Sequence, residues 1–568
     1  MKKMCLLLSL LMMLSATTVL ADYNDHTDYS QFPLVKDGES MTITVAARRS
    51  EKYGKDPDKQ WFWIWSEQAT GIDFEIDQIL TTAAEERKSL MFASGNLPDL
   101  ILGGVTLTTS DLVRYGMSEE LLLDLSPYII PEIMPHLCAW VEAYPESLAY
   151  CTTPDGKIYT LPGYSDFFIQ GDGPNVMQVN TEWLETAGLE IPKSLDEFTQ
   201  MLYKFKEIKP DGYPLGSGAQ NYNNDPRNHL LNAFGFVWPD IYCNPIGNQP
   251  AVRNGEVAIP AYDDVFVEFL KLMNQYYTDG LMAPDFFTID QITAFAQLAE
   301  DAVGAYPGIA YLALPDRKDF TKWVDISPLT SAWNDTPKAG ALNKYRIGHA
   351  ELSSSVDPAK IETILRYLDF FYSDMGGMYL WCGPSNTSAD TLGIIGGYVV
   401  TEDNSYIWVD TEGNKIDSQA FMEGDAGNIA HGFGNRSHPL QNSEAFAAGV
   451  TNRPEMRSYY YNADNILPYA YDPNFGSGAH LLNVRKNIEP YRVESFPMIV
   501  YYDEETTLAI DELHTILDPY IESEVAKFIT NARPIEEFPQ FQQELKNMGI
   551  EQLLGYYQTA YANYMAAK

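Results

Sequence analysis

The stretch Asn180–Lys206 constrains the fold most strongly, because it specifies two helices with a corner between them. Thr181 is placed to cap a short helix that ends at Gly188, a residue that tolerates the left-handed conformation. Ser194 begins a second helix, and Glu197 completes a capping box in which two backbone donors are satisfied reciprocally. Helical spacing predicts that the second helix buries one face, formed by Leu195, Phe198, Met201, Leu202 and Phe205.

Size and charge narrow the class of protein. A chain of 568 residues exceeds what one hydrophobic core serves, so two or more lobes are expected. The net charge of −40 argues against a nucleic-acid partner, which needs a basic face, and against adsorption to anionic lipid headgroups. The aromatic content of 13% fits large cores, or surfaces that stack on sugar rings.

The N-terminal segment predicts export. Met1–Ala21 is typical of a signal peptide, because Lys2 and Lys3 precede an apolar core, Leu6–Leu14, that is too short to cross a bilayer. Residues 22–40 are expected to form a flexible leader. We therefore expect a secreted protein, in the periplasm or at the cell surface.

The order of predicted elements indicates a parallel sheet. Strands alternate with helices in the first hundred residues, an order that implies right-handed crossovers. The predicted elements are a strand at Met41–Ala47, a charged loop at Arg48–Lys59, a helix at Trp61–Ala69, a strand at Phe74–Ile79, a helix at Thr82–Phe92 and a turn and strand at Ala93–Leu102.

Three later segments extend this pattern. Lys157–Leu161 alternates as a strand after the Asp155-Gly156 turn. Tyr345–Tyr372 reads as a strand, a serine-rich turn and a helix with Pro358 at its first position. Helical patterns fill the C-terminal residues 506–568.

Several phrases resemble one protein family. The corner reads N-x-x-WL-x-x-x-GL-x-IP-x-S-LDEF, and SGNLPDLI at 94–101 and DGKIYTLP at 155–162 precede it. Together they look like bacterial extracellular solute-binding proteins of ABC importers, of the family 1 type. The tail, with LHTILDPYIESEVAKFIT and LKNMGIEQLLGYYQTAYANY, is similar to that of the LplA/YtcQ-type and alginate-binding subgroup.

The resemblance implies an α/β, two-lobed periplasmic-binding-protein-like fold with mostly parallel sheets flanked by helices and a helical C-terminal extension. Residues 41–165 with about 340–375 would form lobe 1, and residues 166–335 with about 376–505 would form lobe 2. The helical segment 506–568 would pack on the lobes. The implied function is a monomeric receptor that captures a carbohydrate by hinge closure and delivers it to a membrane permease, without a cofactor or nucleic acid.

Two departures from the family qualify this expectation. Many relatives carry a lipid-attachment cysteine directly after the apolar core, whereas Cys5 lies before that core, so we expect no lipid anchor. Alginate-binding relatives carry a calcium loop after the LDEF helix, but here that place holds Asp211 and Pro214 and lacks further oxygen ligands. The sequence therefore predicts no metal site. Four cysteines remain after the signal peptide, and the sequence forces no disulfide pairing among them. Cys138 and Cys151 are the only pair close together in sequence; the other two are Cys243 and Cys382.

Candidate ligand contacts follow from topology, since ligands of two-lobed α/β proteins sit at the carboxyl ends of strands and between lobes. For each, core packing or a surface loop is the alternative. The two arginines could bind a uronate carboxylate bidentately, but they could equally pair with any nearby Asp or Glu. The candidates are Arg48, Arg49, Tyr164, Tyr222, Asn224, Trp333, Trp381 and Trp408, with Asp166 beside Tyr164.

Enzyme signatures are weak. The sequence lacks a G-x-S-x-G elbow, a P-loop and an HExxH motif, and its eight histidines are scattered. The chain is therefore predicted not to be an enzyme. The alternative is a secreted carbohydrate-active enzyme, a glycosidase or lyase, because a catalytic carboxylate pair would be invisible among 78 acidic residues.

Overall fold

The structure is a computed structural model, and it describes residues 32–36, 38–49, 61–164, 176–217, 225–238, 249–308, 310, 322–341, 345–348, 350–373, 376–377, 397–400, 406–409, 483–484, 486–497 and 499–567. The predicted signal peptide lies outside these ranges, as do Cys243 and Cys382. Cys138 and Cys151 are free thiols, and burial raises the pKa of the Cys151 thiol.

The described strands are short. In chain order they are β1 (Thr42–Arg49), β2 (Asp73–Leu80), β3 (Leu100–Leu102), β4 (Pro162–Tyr164), β5 (Met177–Asn180), β6 (Tyr213–Leu215), β7 (Phe236–Val237), β8 (Ala251–Arg253), β9 (Glu256–Ala258), β10 (Val303–Pro307), β11 (Trp323–Asp325), β12 (Ala339–Gly340), β13 (Tyr345–Ile347), β14 (Ala350–Leu352), β15 (Gly397–Val400), β16 (Tyr406–Val409) and β17 (Arg492–Val493).

The described α-helices range from single turns to a helix of 26 residues. They are α1 (Trp61–Thr70), α2 (Ala84–Ser94), α3 (Thr109–Asp111), α4 (Pro135–Ala143), α5 (Glu146–Ala149), α6 (Thr181–Ala187), α7 (Leu195–Ile208), α8 (Pro226–Leu231), α9 (Phe266–Thr278), α10 (Gln291–Ala299), α11 (Pro358–Phe370), α12 (Glu504–Ile529), α13 (Phe538–Asn547) and α14 (Ile550–Ala567).

The chain divides into two compact units, and each takes residues from two separate stretches. The first unit comprises Met1–Asp166 and Lys344–Ile466, and the second comprises Phe167–Asn343 and Leu467–Lys568. The backbone therefore passes from one unit to the other at three places. The predicted lobe ranges, which count the C-terminal segment apart, remain a prediction.

The first unit is built on a sheet of strand order β14-β3-β1-β2. β1 is parallel to both β2 and β3, while β14 runs antiparallel to β3. Aromatic side chains of α1 and α11 fill the core beside this sheet, and the Trp65 and Phe370 ring centroids lie 5.0 Å apart. The buried hydroxyls of Ser66 and Tyr367 bond to each other at 3.0 Å, so these polar atoms are satisfied within the core.

The second unit has a mixed sheet of order β11-β5-β10-β6. β5 runs antiparallel to its neighbours β10 and β11, whereas β10 and β6 are parallel. One apolar cluster joins α7 and α9 to the C-terminal helices, through side chains such as Phe205, Phe269, Phe528, Phe541 and Leu553. The C-terminal helices α12, α13 and α14 therefore contribute directly to the core of the second unit.

The two-helix corner forms as its sequence predicts. Ser194 Oγ accepts from the Glu197 backbone N–H at 3.2 Å, and Glu197 Oε2 accepts from the Ser194 N–H at 3.2 Å, which confirms the capping box. Gly188 follows α6 with φ of 66°, in the left-handed region. The five predicted apolar residues of α7 are buried.

The predicted cap at Thr181 is wrong by one residue. Asn180 is the cap, because its Oδ1 accepts from the backbone N–H of Glu182 and Trp183 at 3.1 and 3.3 Å. Thr181 already lies in the first helical turn, and its hydroxyl donates to the Lys322 carbonyl oxygen at 3.1 Å. An amide oxygen thus does here what the sequence pattern assigned to a hydroxyl.

The predicted strand at Lys157–Leu161 is also wrong. Ile158 forms a single bridge with Thr152, and its N–H donates to Ser126 Oγ at 3.0 Å. The Leu161 N–H instead donates to the Ala350 carbonyl oxygen, at 3.3 Å. Because these backbone groups bond to separate segments, a regular ladder begins only at β4.

Asp301 ties together several segments of the second unit. It takes a left-handed backbone conformation, with φ of 54°. Its carboxylate accepts from Lys209 at 2.9 Å, Lys322 at 2.9 Å, Asn180 at 3.0 Å and the Trp183 indole at 3.3 Å. Burial opposes ionisation, but these donors outweigh it and lower the pKa of the Asp301 carboxyl to about 2.

Glu351 is a fully buried carboxyl in the first unit. It lies in β14, and its Oε1 accepts from the Thr160 hydroxyl at 2.8 Å. Burial raises the pKa of Glu351 to about 8, while the hydrogen bond opposes the shift and repulsion from Asp111 adds to it. This side chain is therefore mostly protonated at neutral pH.

We expect Asp301→Asn to lower the free energy of unfolding at pH 7 by about 1–2 kcal/mol. Because the folded-state pKa is below the ordinary 3.8, the stabilisation is present above about pH 4 and lost as pH falls toward 2. The difference from the parent should shrink in acid. Urea unfolding between pH 7 and pH 3 measures it, with exposed Asp211→Asn as the control. A difference independent of pH would contradict this account.

Glu351→Gln should have the opposite pH profile. The folded-state pKa of Glu351, about 8, lies above its ordinary 4.5, so the parent's stability is fully present below about pH 4.5 and declines as pH rises toward 8. The variant removes this decline, at up to about 1.4 kcal/mol per pH unit. Thermal unfolding from pH 5 to pH 8 tests it against Glu75→Gln, an exposed change in the same sheet. Parallel profiles for both variants would show that burial does not govern the titration.

Candidate functional site

In the first unit, β1, β2 and β3 all end at the same side of their sheet, and we call this side, where the strands' carboxyl ends lie, the edge. Because these strands are parallel, their carboxyl ends lie together. β1 continues through the predicted loop start, and Arg48 and Arg49 pair with Ile79 and Leu80 of β2. Both arginines are therefore strand residues at this edge, not loop residues, since β2 is long enough to supply their backbone partners.

The loop after β3 closes tightly on this edge. A Cβ atom at Gly104 would lie 2.6 Å from the carbonyl carbon of Ala46, so only glycine permits the approach. Tyr164, another predicted contact, lies in β4 and pairs with Tyr345. The backbones of Arg48, Arg49 and Tyr164 are described, while their side chains, together with Asp166, fall outside the described part.

The second unit has a corresponding edge, where β6, β10 and β11 end and β5 begins. A buried polar pair fixes it: Gln178 Nε2 donates to Asp325 Oδ1 at 3.0 Å, and Gln178 Oε1 accepts from the Ala310 N–H at 2.8 Å. Asn487 Nδ2 donates to the Asp325 carbonyl oxygen at 2.7 Å. Sequence reasoning missed these residues, because a buried Gln and Asp in short strands carry no local signal.

In the chain after β6, Asp225 and Arg227 form an ion pair. Asp225 is 1% exposed, caps α8 and pairs with Arg227 through Nη2 at 2.6 Å and Nε at 3.0 Å. The Arg227 guanidinium also lies over the rings of Phe286 and Phe287, at 5.7 and 5.1 Å. The predicted contacts Tyr222 and Asn224 lie just before this pair, outside the described residues.

Trp333 is the predicted contact whose side chain is described, and it is 39% exposed. Its ring stacks on Phe234, with centroids 4.8 Å apart and planes 25° apart. The loop is held on both sides, because the Trp333 N–H donates to Ser331 Oγ at 3.0 Å and Ser331 Oγ donates to the Ala233 carbonyl oxygen at 2.6 Å. Asn334 Nδ2 reaches the Asn232 carbonyl oxygen at 3.3 Å. The indole is therefore a fixed, partly exposed plane.

A surface depression of about 600 Å³ lies beside this plane, within the second unit. We call it the Trp333 depression. Its volume is within the range of small-molecule sites, about 300–1,000 Å³. Three carboxylates and one guanidinium give it a net negative lining, formed by Arg253, Tyr262, Asp263, Asp264, Val265, Glu268 and Trp333.

The remaining predicted contacts stay predictions. Trp408 pairs with Tyr398 between β16 and β15, but its side chain is not described, and Trp381 lies outside the described residues. In the described ranges, His, Cys, Asp and Glu side chains form no group of three that could hold a metal ion. Pro214, at the place where the sequence predicts no calcium loop, lies in the strand β6. Among the described helices, none combines the length and apolar character needed to cross a membrane.

Comparison with known proteins identifies the family of this chain. The profile of the family described as bacterial extracellular solute-binding protein matches residues 50–378, more than half of the chain. The chain belongs to this family. The resemblance found in the sequence phrases is thereby confirmed, and the family is one of binding proteins.

Individual relatives are more distant. A fructooligosaccharide ABC transporter substrate-binding protein, FusA, of Streptococcus pneumoniae serotype 4 (strain ATCC BAA-334 / TIGR4), is 28% identical over 288 residues, which cover 48% of this chain and 50% of that protein. The chain spans about half, or less, of the length of the curated relatives that it matches.

Solved structures of lower sequence identity have a similar fold over most of the chain. An EF-hand mutant of S. pneumoniae FusA in complex with fructo-nystose has a TM-score of 0.70 at 20% identity, covering 93% of this chain and 100% of that chain. An HMO-binding solute-binding protein from Bifidobacterium longum infantis ATCC 15697 has a TM-score of 0.68 at 18% identity, covering 93% and 99%. These likenesses confirm the predicted α/β solute-binding-protein fold class.

The Asp225–Arg227 pair gives a test of the edge after β6. Arg227→Met should destabilise the second unit by about 3 kcal/mol, because it leaves a buried carboxylate unpaired. Asp225→Asn with Arg227→Met should recover part of the loss, since a neutral amide can still cap α8. Urea unfolding of both single variants and the double variant gives the coupling energy. Additive losses would show that the ion pair is not what holds this edge.

Proposed function

We propose that this protein is the extracellular solute-binding receptor of an ABC importer and that its solute is a carbohydrate, an oligosaccharide or a sugar derivative. Family membership together with the similarity to FusA carries the proposal. The solved relatives with a similar fold include proteins named for fructo-nystose and HMO binding. The fixed indole of Trp333 adds a surface of the kind that stacks on sugar rings.

The proposed mechanism is capture by closure of two lobes, followed by docking on a membrane permease. Two compact units joined by three chain passages are what a hinge requires, since the connecting segments can absorb the change in backbone angles. Ligand shifts the equilibrium only by binding one state more tightly than the other. We propose that the protein acts as a monomer, performs no covalent chemistry and needs neither a cofactor nor a nucleic acid.

The location and the ligand contacts are also proposals. Export through the segment Met1–Ala21 agrees with the extracellular family description. We propose that Arg48 and Arg49 act from the edge where β1 ends, and that Trp333 acts from the second unit. Strand ends support the first choice, and an exposed, immobilised indole supports the second.

A glycan panel tests the function. Purified protein is incubated with neutral, acidic and amino oligosaccharides, and both the melting temperature and the released products are recorded. A receptor should be stabilised by about 2.7 kcal/mol at a ligand concentration of 100 times Kd, while the glycan stays intact. Heat-denatured protein controls for spontaneous hydrolysis. Product formation at catalytic turnover would identify the alternative, a carbohydrate-active enzyme, and a panel without any stabilisation would remove the carbohydrate assignment.

A further inference from the structure

The Trp333 depression combines an aromatic plane with groups that accept hydrogen bonds. One face of the Trp333 indole is covered by Phe234, yet 39% of the residue stays exposed. The depression lies beside this plane. A sugar ring could therefore place its C–H face on the indole and direct its hydroxyls toward the polar lining.

The one guanidinium of the lining is already engaged. Arg253 Nε donates to the Phe234 carbonyl oxygen at 3.1 Å, and Nη1 lies 3.4 Å from both carboxylate oxygens of Asp263. The same guanidinium lies over the Phe236 ring, 5.6 Å from its centroid. Two of its three nitrogens thus bond to protein partners, which disfavours the bidentate capture of an added carboxylate.

The carboxylates of Asp264 and Glu268 keep capacity for a ligand. Asp264 Oδ1 accepts from Gln542 Nε2 at 3.0 Å, and Glu268 Oε1 accepts from Lys271 Nζ at 2.7 Å. An ionised carboxylate has about four acceptor positions, so each can also accept from sugar hydroxyls. A ligand carboxylate offers no hydrogen to donate, and the charge of Asp264, whose amide partner is neutral, would repel it; Lys271 offsets part of the charge of Glu268.

We infer that the Trp333 depression is a subsite for one uncharged sugar ring, and that it selects against uronic acid units. Trp333 stacks on the ring, while Asp264 and Glu268 accept hydrogen bonds from its hydroxyls. The inference rests on the proposed function, because it takes the solute to be a carbohydrate. It narrows that solute to a glycan with at least one neutral unit, and it assigns the uncharged class to this place in the second unit.

The test measures dissociation constants by calorimetry for a neutral oligosaccharide that binds the parent, and for a uronate oligosaccharide of similar length. Trp333→Ala should weaken neutral binding at least about tenfold, since stacking area and shape are lost. Trp333→Phe should stay within about threefold of the parent, because a planar ring remains. Ile292→Ala removes a 73% exposed apolar side chain of the same unit, and as the matched control it should change nothing.

Charge selection has its own variant. Asp264→Asn with Glu268→Gln keeps acceptor oxygens but removes two negative charges, so the ratio of uronate to neutral affinity should rise at least about tenfold. Melting curves check that every variant is folded. An unchanged neutral affinity in folded Trp333→Ala, an unchanged ratio in the charge variant, or preferential binding of a cationic amino sugar would overturn the subsite while leaving the receptor function intact. A parent that binds no glycan would overturn the proposed function itself.

Discussion

The second unit depends most on the hydrogen bonds and ion pairs that the Asp301 carboxylate accepts. It stands at the turn before β10 and accepts from Asn180 at the end of β5, from Lys322 before β11 and from Lys209 after α7. Three strands and a helix thus meet at one charge. Strands of three to five residues form few ladder hydrogen bonds, and side-chain ties of this kind help to fix their register.

The two ends of β5 bond to different partners. Asn180, at the end of β5, donates a hydrogen bond to the Asp301 carboxylate, whereas Gln178, nearer its beginning, donates to the buried carboxylate of Asp325. Because the sheet is fixed where β5 ends, the loops at the other edge, where β5 begins, can be held in a constant position. A binding surface built on fixed elements avoids the entropy cost of ordering it when a ligand arrives.

Much of the fold could be predicted from sequence because its signals are local. The capping box spans four residues, and the left-handed Gly188 follows directly from the end of an amphipathic pattern. Local signals also mislead. Lys157–Leu161 alternates correctly, but a strand needs a partner along its whole length, and its backbone groups bond to three separate segments. Asn180 rather than Thr181 is the cap because the backbone of Asn180 is still extended, and the helix begins only at Thr181.

The candidate site was far less predictable, since it joins residues that are distant in sequence. Trp333 could be named as an aromatic candidate, but its platform depends on Phe234 and its charged surroundings on Arg253 and Glu268. No periodicity links these positions. In the proposed subsite, the fixed plane of Trp333 would contribute contact area without an ordering cost, and sugar hydroxyls would exchange water for carboxylate oxygens. Affinity in the proposed subsite would therefore come from shape and stacking, and the charges would decide which sugars are refused.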